Sequence, residues 1–261
     1  MFETTCPNGI RYFRFETFPR DLKHGVLSRH GGVGRPPFDS LNLSSSVPDE
    51  QVVYEENRCL AYQEFDRTTD TLVHAHLIHK NHVARVTRSN HGEVMPQVDG
   101  LITNDPGCGL TMNYADCAPI LVYDPINHAI GLGHAGWAGT VLDVPGALVA
   151  SMQAAFGSDP AELLAGVGPC ISSAVYEVGD NVIEAVKDAF PHHVENLLIP
   201  QVHGERPHFD LPQANLINFQ RAGVQHIELS GLCTGSRTDL FFSHRAEKGK
   251  TGRFGVVVVL G

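Results

Sequence analysis

The chain has 261 residues, with 19 Lys+Arg against 29 Asp+Glu and a formal net charge of −10. Hydrophobic residues make up 42%, enough for a packed core, which argues against a disordered chain. The acidic balance argues against a nucleic-acid binder and against an anionic membrane surface as partner, since both need a basic face. The unusual component is 15 His, a residue that titrates near neutrality and binds metals.

No repeat, low-complexity tract or long linker divides the chain, so residues 1–261 are expected to form a single domain. The start, Met1 to Cys6, has no basic region and no apolar run of signal-peptide length. The apolar runs Ala118 to Tyr123 and Val256 to Leu260 are too short to span a bilayer. Cys6, Cys59, Cys108, Cys117, Cys170 and Cys233 show no paired close spacing. The expectation is a reduced, cytoplasmic, monomeric protein.

In chain order, Tyr12 to Phe15 alternates like a strand, and Gly25 to Ser28 is a second short apolar piece. Asp49 to Phe65 reads as a helix, with Asp49 as N-cap and Val52, Val53 and Leu60 on one face. Val73 to Val86 is β-like but rich in His. Leu101 to Thr103 and Leu110 to Asn113 are short strands. Pro119 to Tyr123 and Ala129 to Leu132 flank the turn Asp124-Pro125-Ile126-Asn127, a hairpin signature. Thr140 to Phe156 reads as one helix closed by Gly157, followed by a strand at Leu163 to Val167. Asp180 to Phe190 and Leu211 to Ala222 read as helices, His226 to Leu229 and Phe254 to Leu260 as strands. Helices mix with hairpins instead of alternating with strands, which predicts an α+β fold.

Two motifs mislead. Gly131-Leu132-Gly133-His134-Ala135-Gly136 spells G-x-G-x-x-G, but the next strand ends in Gly168-Pro169-Cys170 and supplies no acid for a ribose. His91-Gly92-Glu93 and His203-Gly204-Glu205 fit the H-x-E of zinc deaminases, yet Ser173 stands where Pro169-Cys170 would need its second thiolate.

Three segments concentrate reactive groups among apolar residues: Leu77 to Val83 with His79, Tyr114 to Pro119 with Cys117, and Gly133 to Trp137 with His134. One Cys and two His make an open zinc site. Alternatively, Cys117 is a nucleophile activated by His134. The separations between these residues are not those of a local metal motif.

Asp99-Gly100-Leu101-Ile102-Thr103, Ala115-Asp116-Cys117-Ala118-Pro119 and Gly133-His134-Ala135-Gly136-Trp137-Ala138-Gly139-Thr140 resemble the YfiH-like family. That family is described both as laccase-domain (multicopper polyphenol oxidoreductase) proteins and as purine nucleoside phosphorylases. The likeness extends to Arg29-His30-Gly31-Gly32-Val33, Leu41-Asn42-Leu43, Glu56-Asn57-Arg58, Phe209-Asp210-Leu211 and Phe241-Phe242-Ser243-His244-Arg245 with Gly252-Arg253. It implies mixed sheets layered between helices, of αββα type, as in a deamidating toxin domain.

The resemblance also implies a metal site of His79, Cys117 and His134, holding zinc, with copper as the other metal. His76 and His82 are the competitors of His79. Gln201-Val202-His203-Gly204 spells the family's His motif, but on the wrong side of the Cys block. The implied activity is phosphorolysis of adenosine, inosine, guanosine and methylthioadenosine, with adenosine deamination beside it. Arg29 is the phosphate candidate, with a surface cation as its alternative, and Asn42 the orienting amide. His244 and Arg245 are further pocket candidates. Asp116 either orients a ligand or caps a turn, and Trp137 either stacks on a base or belongs to the core. The second reading is a metal-free Cys–His hydrolase or amidase editing cell-wall precursors. Copper oxidation of phenols ranks third, because the chain has one H-x-H, His74-Ala75-His76, and no His-Cys-His.

Overall fold

The computed structural model describes residues 1–201 and 206–261. The first three strands, β1 (Phe2–Thr5), β2 (Arg11–Arg14) and β3 (Lys23–Leu27), precede α1 (Gln51–Gln63). Then come β4 (His74–Ala75), β5 (Val83–Arg85), β6 (Val94–Met95), β7 (Gly100–Thr103), β8 (Gly109–Tyr114), β9 (Ala118–Asp124) and β10 (Ala129–Ala135). Helices α2 (Trp137–Val141) and α3 (Val144–Phe156) lead into β11 (Leu164–Val167). The remainder is α4 (Asp180–Ala189), α5 (Val194–Leu197), β12 (Leu198–Ile199), β13 (His208–Phe209), α6 (Leu211–Arg221), β14 (His226–Leu229) and β15 (Phe254–Val259).

Two sheets carry the fold. One runs β1-β2-β3-β15-β8 and the other β14-β11-β9-β10-β7-β5. The second is mixed: β9 and β10 are antiparallel, while β11–β14 and β5–β7 pair in parallel. Period-two alternation decides where each side chain goes. On β9, Ile120 and Val122 join the core beneath α3, α4 and α6, while Leu121 and Tyr123 join the core between the sheets. On β15, Phe254, Val256 and Val258 face the inter-sheet core, and Val257 and Val259 pack with Ala61, Tyr62 and Phe65 at α1. The layers are therefore helix, sheet, sheet, helices, the αββα order that the resemblance implies.

The hairpin at Asp124 forms as expected. Asp124 Oδ1 accepts the N–H of Ile126 at 2.8 Å and of Asn127 at 2.9 Å, an Asx turn that fixes the β9–β10 register. Helix α1 differs from its reading. Glu50, not Asp49, is the N-cap residue, and Val52 is 65% exposed. The buried face is Asn57, Ala61 and Tyr62. Asn57 is buried because its amide serves a loop: Nδ2 donates to Ser40 O and Asn42 O, and Oδ1 accepts from Val33 N–H.

The expected single helix from Thr140 to Phe156 is two helices. Pro145 has no N–H to bond back to Val141 and its ring would clash with that carbonyl, so a continuous helix is broken and a new one starts with Pro145 in its first turn. Asp143 takes a left-handed φ of 63° and caps α3 through Gly146 N–H at 2.9 Å. The β-like stretch Val73 to Val86 keeps only β4 and β5, and its middle leaves the sheet to reach the site described below.

Some of the His residues are structural. His24 is 1% exposed, its Nε2 accepts Phe15 N–H at 3.0 Å, and Nδ1 lies 3.0 Å from Leu22 O. Only the neutral Nδ1–H tautomer satisfies both contacts. Burial lowers its pKa from 6.5 to about 4. Above the unfolded value, folded and unfolded chains are both neutral at this ring and the full stability is present. As the pH falls towards the folded value, the unfolded chain takes up a proton the folded chain refuses, and stability is lost. The loss from this ring is roughly 3 kcal/mol. Thermal melts of wild type and His24→Gln, run from neutral to acidic pH, check this: the variant should lose Tm less steeply. Equal slopes would remove His24 from the acid sensitivity.

Candidate metal and catalytic site

The site lies where the two sheets meet at one end. His134 is the sixth residue of β10, on the same face as Ile130 and Leu132, so alternation turns it towards the other sheet. There its ring sits 5.4 Å from the Tyr114 ring, and Tyr114 Oη donates to Gly133 O at 2.8 Å. Cys117 occupies the crossing from β8 in one sheet to β9 in the other. His79 comes from the loop between β4 and β5.

Asp99 draws that loop in. It is fully buried, and its carboxylate accepts the N–H groups of Ile78, His79 and Lys80 at 3.2, 2.9 and 2.8 Å. These bonds hold His79 in a left-handed conformation, φ 58°. Asp99 Oδ1 also lies 3.3 Å from His134 Nδ1. Burial alone would raise the Asp99 pKa, but His134 and the loop N–H groups over-compensate and hold it below the usual carboxylate range. The charged carboxylate accepts Nδ1–H from His134, which leaves Nε2 for the site.

One ligand atom each from His79, Cys117 and His134 lie within 4.8 Å of one another. The His79 and His134 rings meet edge to face at 5.0 Å. His134 is buried, Cys117 half-buried and His79 exposed, so the group has a floor and an open mouth. Burial pushes the Cys117 thiol up, but His134 and His79 outweigh it and bring it well below a normal thiol. Burial pushes His134 down, and the Cys117 and Asp99 charges outweigh that and raise it. Two imidazoles and a readily ionised thiol are a donor set that suits zinc, with one position left open. It is the one three-donor His/Cys/carboxylate group among the described residues.

Gly136 completes the packing. A Cβ there would stand 2.8 Å from Cys117 Sγ and 3.5 Å from His79 Cδ2. A Cβ that close forces Sγ or the Gly136 backbone to shift, which disturbs the placement of the thiol against the two imidazoles. Gly136→Ala is therefore expected to lower metal affinity by roughly tenfold or more, the scale of supporting-residue losses at metal sites. Metal retention after dialysis against a mild chelator reads this, and retention equal to wild type would overturn it.

The other sequence candidates fall elsewhere. His76 and His82 are exposed and outside the three-donor group, and His203 lies outside the described residues. Gly131 and Gly133 serve helix packing: a Cβ at Gly133 would stand 2.6 Å from Leu148 Cδ1, and one at Gly131 3.3 Å from Met152 Sδ. Trp137 is partly buried and packs on the helical core. Among the described residues the Asp116 carboxylate bonds to neither His79 nor His134. It accepts from Thr234 Oγ1, Ser243 Oγ and Arg245 N–H, each at 2.7 Å, pinning the C-terminal loops beside Cys117.

Arg29 is committed within the chain. It donates to Asp39 O and Thr238 O, pairs with Glu247 at 3.0 Å and lies 4.5 Å over the Phe242 ring. Asn42 is fully buried, with Nδ2 on Ser44 O and Asp49 Oδ2, and Oδ1 accepting from Ser44 N–H and Arg253 N–H. Both shape loops. His244 and Arg245 are exposed, and Arg245 donates to Glu177 O at 2.7 Å over the Tyr176 ring. Burial and the neighbouring Cys117 push the Tyr176 hydroxyl up to about 12. Cys233 stands apart in a cavity of about 250 Å³ with Ser172, Asp210 and Gln213.

Sequence reasoning gave Asp99 no role. Its signal was an acid standing directly before a fully buried apolar strand, where only hydrogen-bonding work accounts for a charge.

Residues 23–261 match the family model described as multi-copper polyphenol oxidoreductase laccase. The chain belongs to that family. A relative, purine nucleoside phosphorylase YlmD of Bacillus subtilis, is 35% identical over 243 residues, covering 90% of this chain and 87% of its own. The crystal structure of YlmD from Geobacillus stearothermophilus superposes with a TM-score of 0.92 at 29% identity, covering 99% of this chain and 98% of that one. That of Bacillus licheniformis hypothetical protein YfiH gives 0.87 at 31% identity, covering 92% and 93%. As a member of the family, the chain keeps its layered mixed-sheet architecture. No helix among its described residues is long and apolar enough to cross a membrane.

Proposed function

We propose that this family member is a zinc-dependent purine nucleoside phosphorylase acting on adenosine, inosine, guanosine and methylthioadenosine. The observation that carries the reading is the convergence of His79, Cys117 and His134 at an open mouth, in a chain whose relatives are named for that activity. His79, Cys117 and His134 would hold the ion, which supplies a Lewis acid for a substrate oxygen. Asp99 keeps His134 in one tautomer and holds the His79 loop in place. Arg245, stacked on Tyr176, and His244 are the contacts proposed for the nucleoside at the mouth.

In phosphorolysis, a phosphate oxygen bonds to the ribose C1′ as the bond from C1′ to the purine nitrogen breaks. The electron pair leaves with the purine, and the proton of dihydrogen phosphate neutralises it. Adenosine deamination, with water displacing the C6 amine, is proposed as a second activity of the same pocket. The protein is read as a cytoplasmic monomer.

Protein purified without added metal tests the reading. Elemental analysis should find one zinc per chain, and inosine should release hypoxanthine only when phosphate is present. Copper in place of zinc would favour the oxidase reading, although a multicopper enzyme needs further His clusters. The second reading, a Cys–His hydrolase, rests on the same thiol flanked by two imidazoles. Metal-free protein with no phosphorolysis and rapid labelling of Cys117 by iodoacetamide would replace the first reading with it.

A further inference from the structure

The reaction proposed above needs an anion beside the metal group, and Arg29 is spent on internal partners. Arg253 is differently placed. In the antiparallel β15–β8 register, Phe254 faces Tyr114 and Gly255 faces Asn113. Continued by one residue, that register puts Arg253 opposite Ala115, two residues from Cys117.

Its backbone is clamped on both sides. Arg253 N–H donates to Asn42 Oδ1 at 2.9 Å, and its carbonyl accepts Leu43 N–H at 3.0 Å. The residue before it is held equally tightly: a Cβ at Gly252 would stand 2.8 Å from Phe242 Cζ and 3.0 Å from Asn42 Cβ. Arg29, over the other part of this cluster, braces Phe242. Thus Asn42 and Arg29 both support the segment that presents Arg253.

The side chain is half-buried. Its Nη1 donates to Thr251 O and Gly252 O, at 3.1 and 2.9 Å, which fixes the guanidinium plane. Among the described residues, no carboxylate pairs with it and Nε and Nη2 have no acceptor. Burial lowers its pKa, and the acidic groups acting against that are Cys117 and Asp116. A half-buried guanidinium with a fixed plane, free N–H groups and no paired carboxylate is suited to an oxyanion.

We propose that Arg253 forms the phosphate subsite of this pocket, with Asn42 as the residue that positions it. The proposal rests on the phosphorylase reading for its co-substrate, but anion binding is measurable without turnover. The experiment uses the full-length, metal-loaded chain as wild type, Arg253→Gln and Arg253→Lys. Initial rates are measured with phosphate and inosine varied in turn, and inorganic phosphate is titrated by calorimetry.

Arg253→Gln is expected to raise the phosphate KM and Kd by roughly 10- to 100-fold, the effect of one lost charge-assisted contact. The inosine KM should change by less than about threefold, Lys should recover part of the loss, and metal content and Tm should stay at wild type. An unchanged phosphate KM and Kd in a normally folded Arg253→Gln protein overturns the proposal. If wild type performs no phosphorolysis, the functional reading fails, and the titration still decides: phosphate binding lost in Arg253→Gln supports the subsite, and no binding to wild type overturns it.

Discussion

Cys117→Ala is expected to leave a folded protein with phosphorolysis reduced on the order of 10³-fold or more, because it removes the one thiolate donor of the site. The side chain is half-buried and small, and its removal deletes an acidic group, not a large apolar contact. The cost to the fold is therefore about 1 kcal/mol or less, a Tm change of a few degrees. Elemental analysis should show zinc lost along with activity. Cys117→Ser should behave like Ala in metal content, since a hydroxyl does not ionise near neutrality as this thiol does. Full activity in metal-depleted Cys117→Ala would remove the site from the reaction altogether.

The second large effect is expected at Asp99. Its carboxylate serves three loop N–H groups and His134 Nδ1 from a fully buried position. In Asp99→Asn, one oxygen becomes an NH2 that can only donate, and it must face either the N–H groups of Ile78 and Lys80 or those of His79 and His134. Either arrangement leaves buried donors unsatisfied. The loss should be about 3 kcal/mol, or roughly 6 to 12 °C in Tm for a chain of this size. Metal affinity should fall by roughly 10- to 100-fold, because His134 loses its fixed tautomer and His79 its loop geometry. Calorimetric melts and a competitive zinc titration measure the two effects separately. Wild-type Tm together with wild-type affinity would show that the carboxylate does neither task.

These two variants separate ligand from support. Cys117→Ala should lose metal with little loss of fold, whereas Asp99→Asn should lose both. Asp116 acts at longer range. Its bonds to Thr234, Ser243 and Arg245 tie the C-terminal loops to the crossing that carries Cys117.

The sequence by itself determined most strands of the two large sheets, the Asp124 hairpin, the α+β class and the identity of His79, Cys117 and His134 as the residues to watch. Period-two alternation and turn chemistry are local signals, and they were legible because they act between near neighbours. The αββα layering and the three-residue metal set entered through family resemblance, since residues so far apart in the chain have no local spacing rule.

Only the tertiary structure decided which acid holds His134, because Asp99 and Asp116 both stand at the edge of apolar strands and differ only in what folds against them. It also decided the fates of the cations and amides. Arg29 and Asn42 look like ligand-binding residues in the sequence, but their polar groups are taken up by loop backbone and Glu247. Arg253 carries no anion-ligand signal in the sequence, yet among the described residues its Nε and Nη2 keep no acceptor. Whether a polar group is free for chemistry depends on every acceptor the fold brings within about 3 Å, and that inventory exists only once the chain has folded.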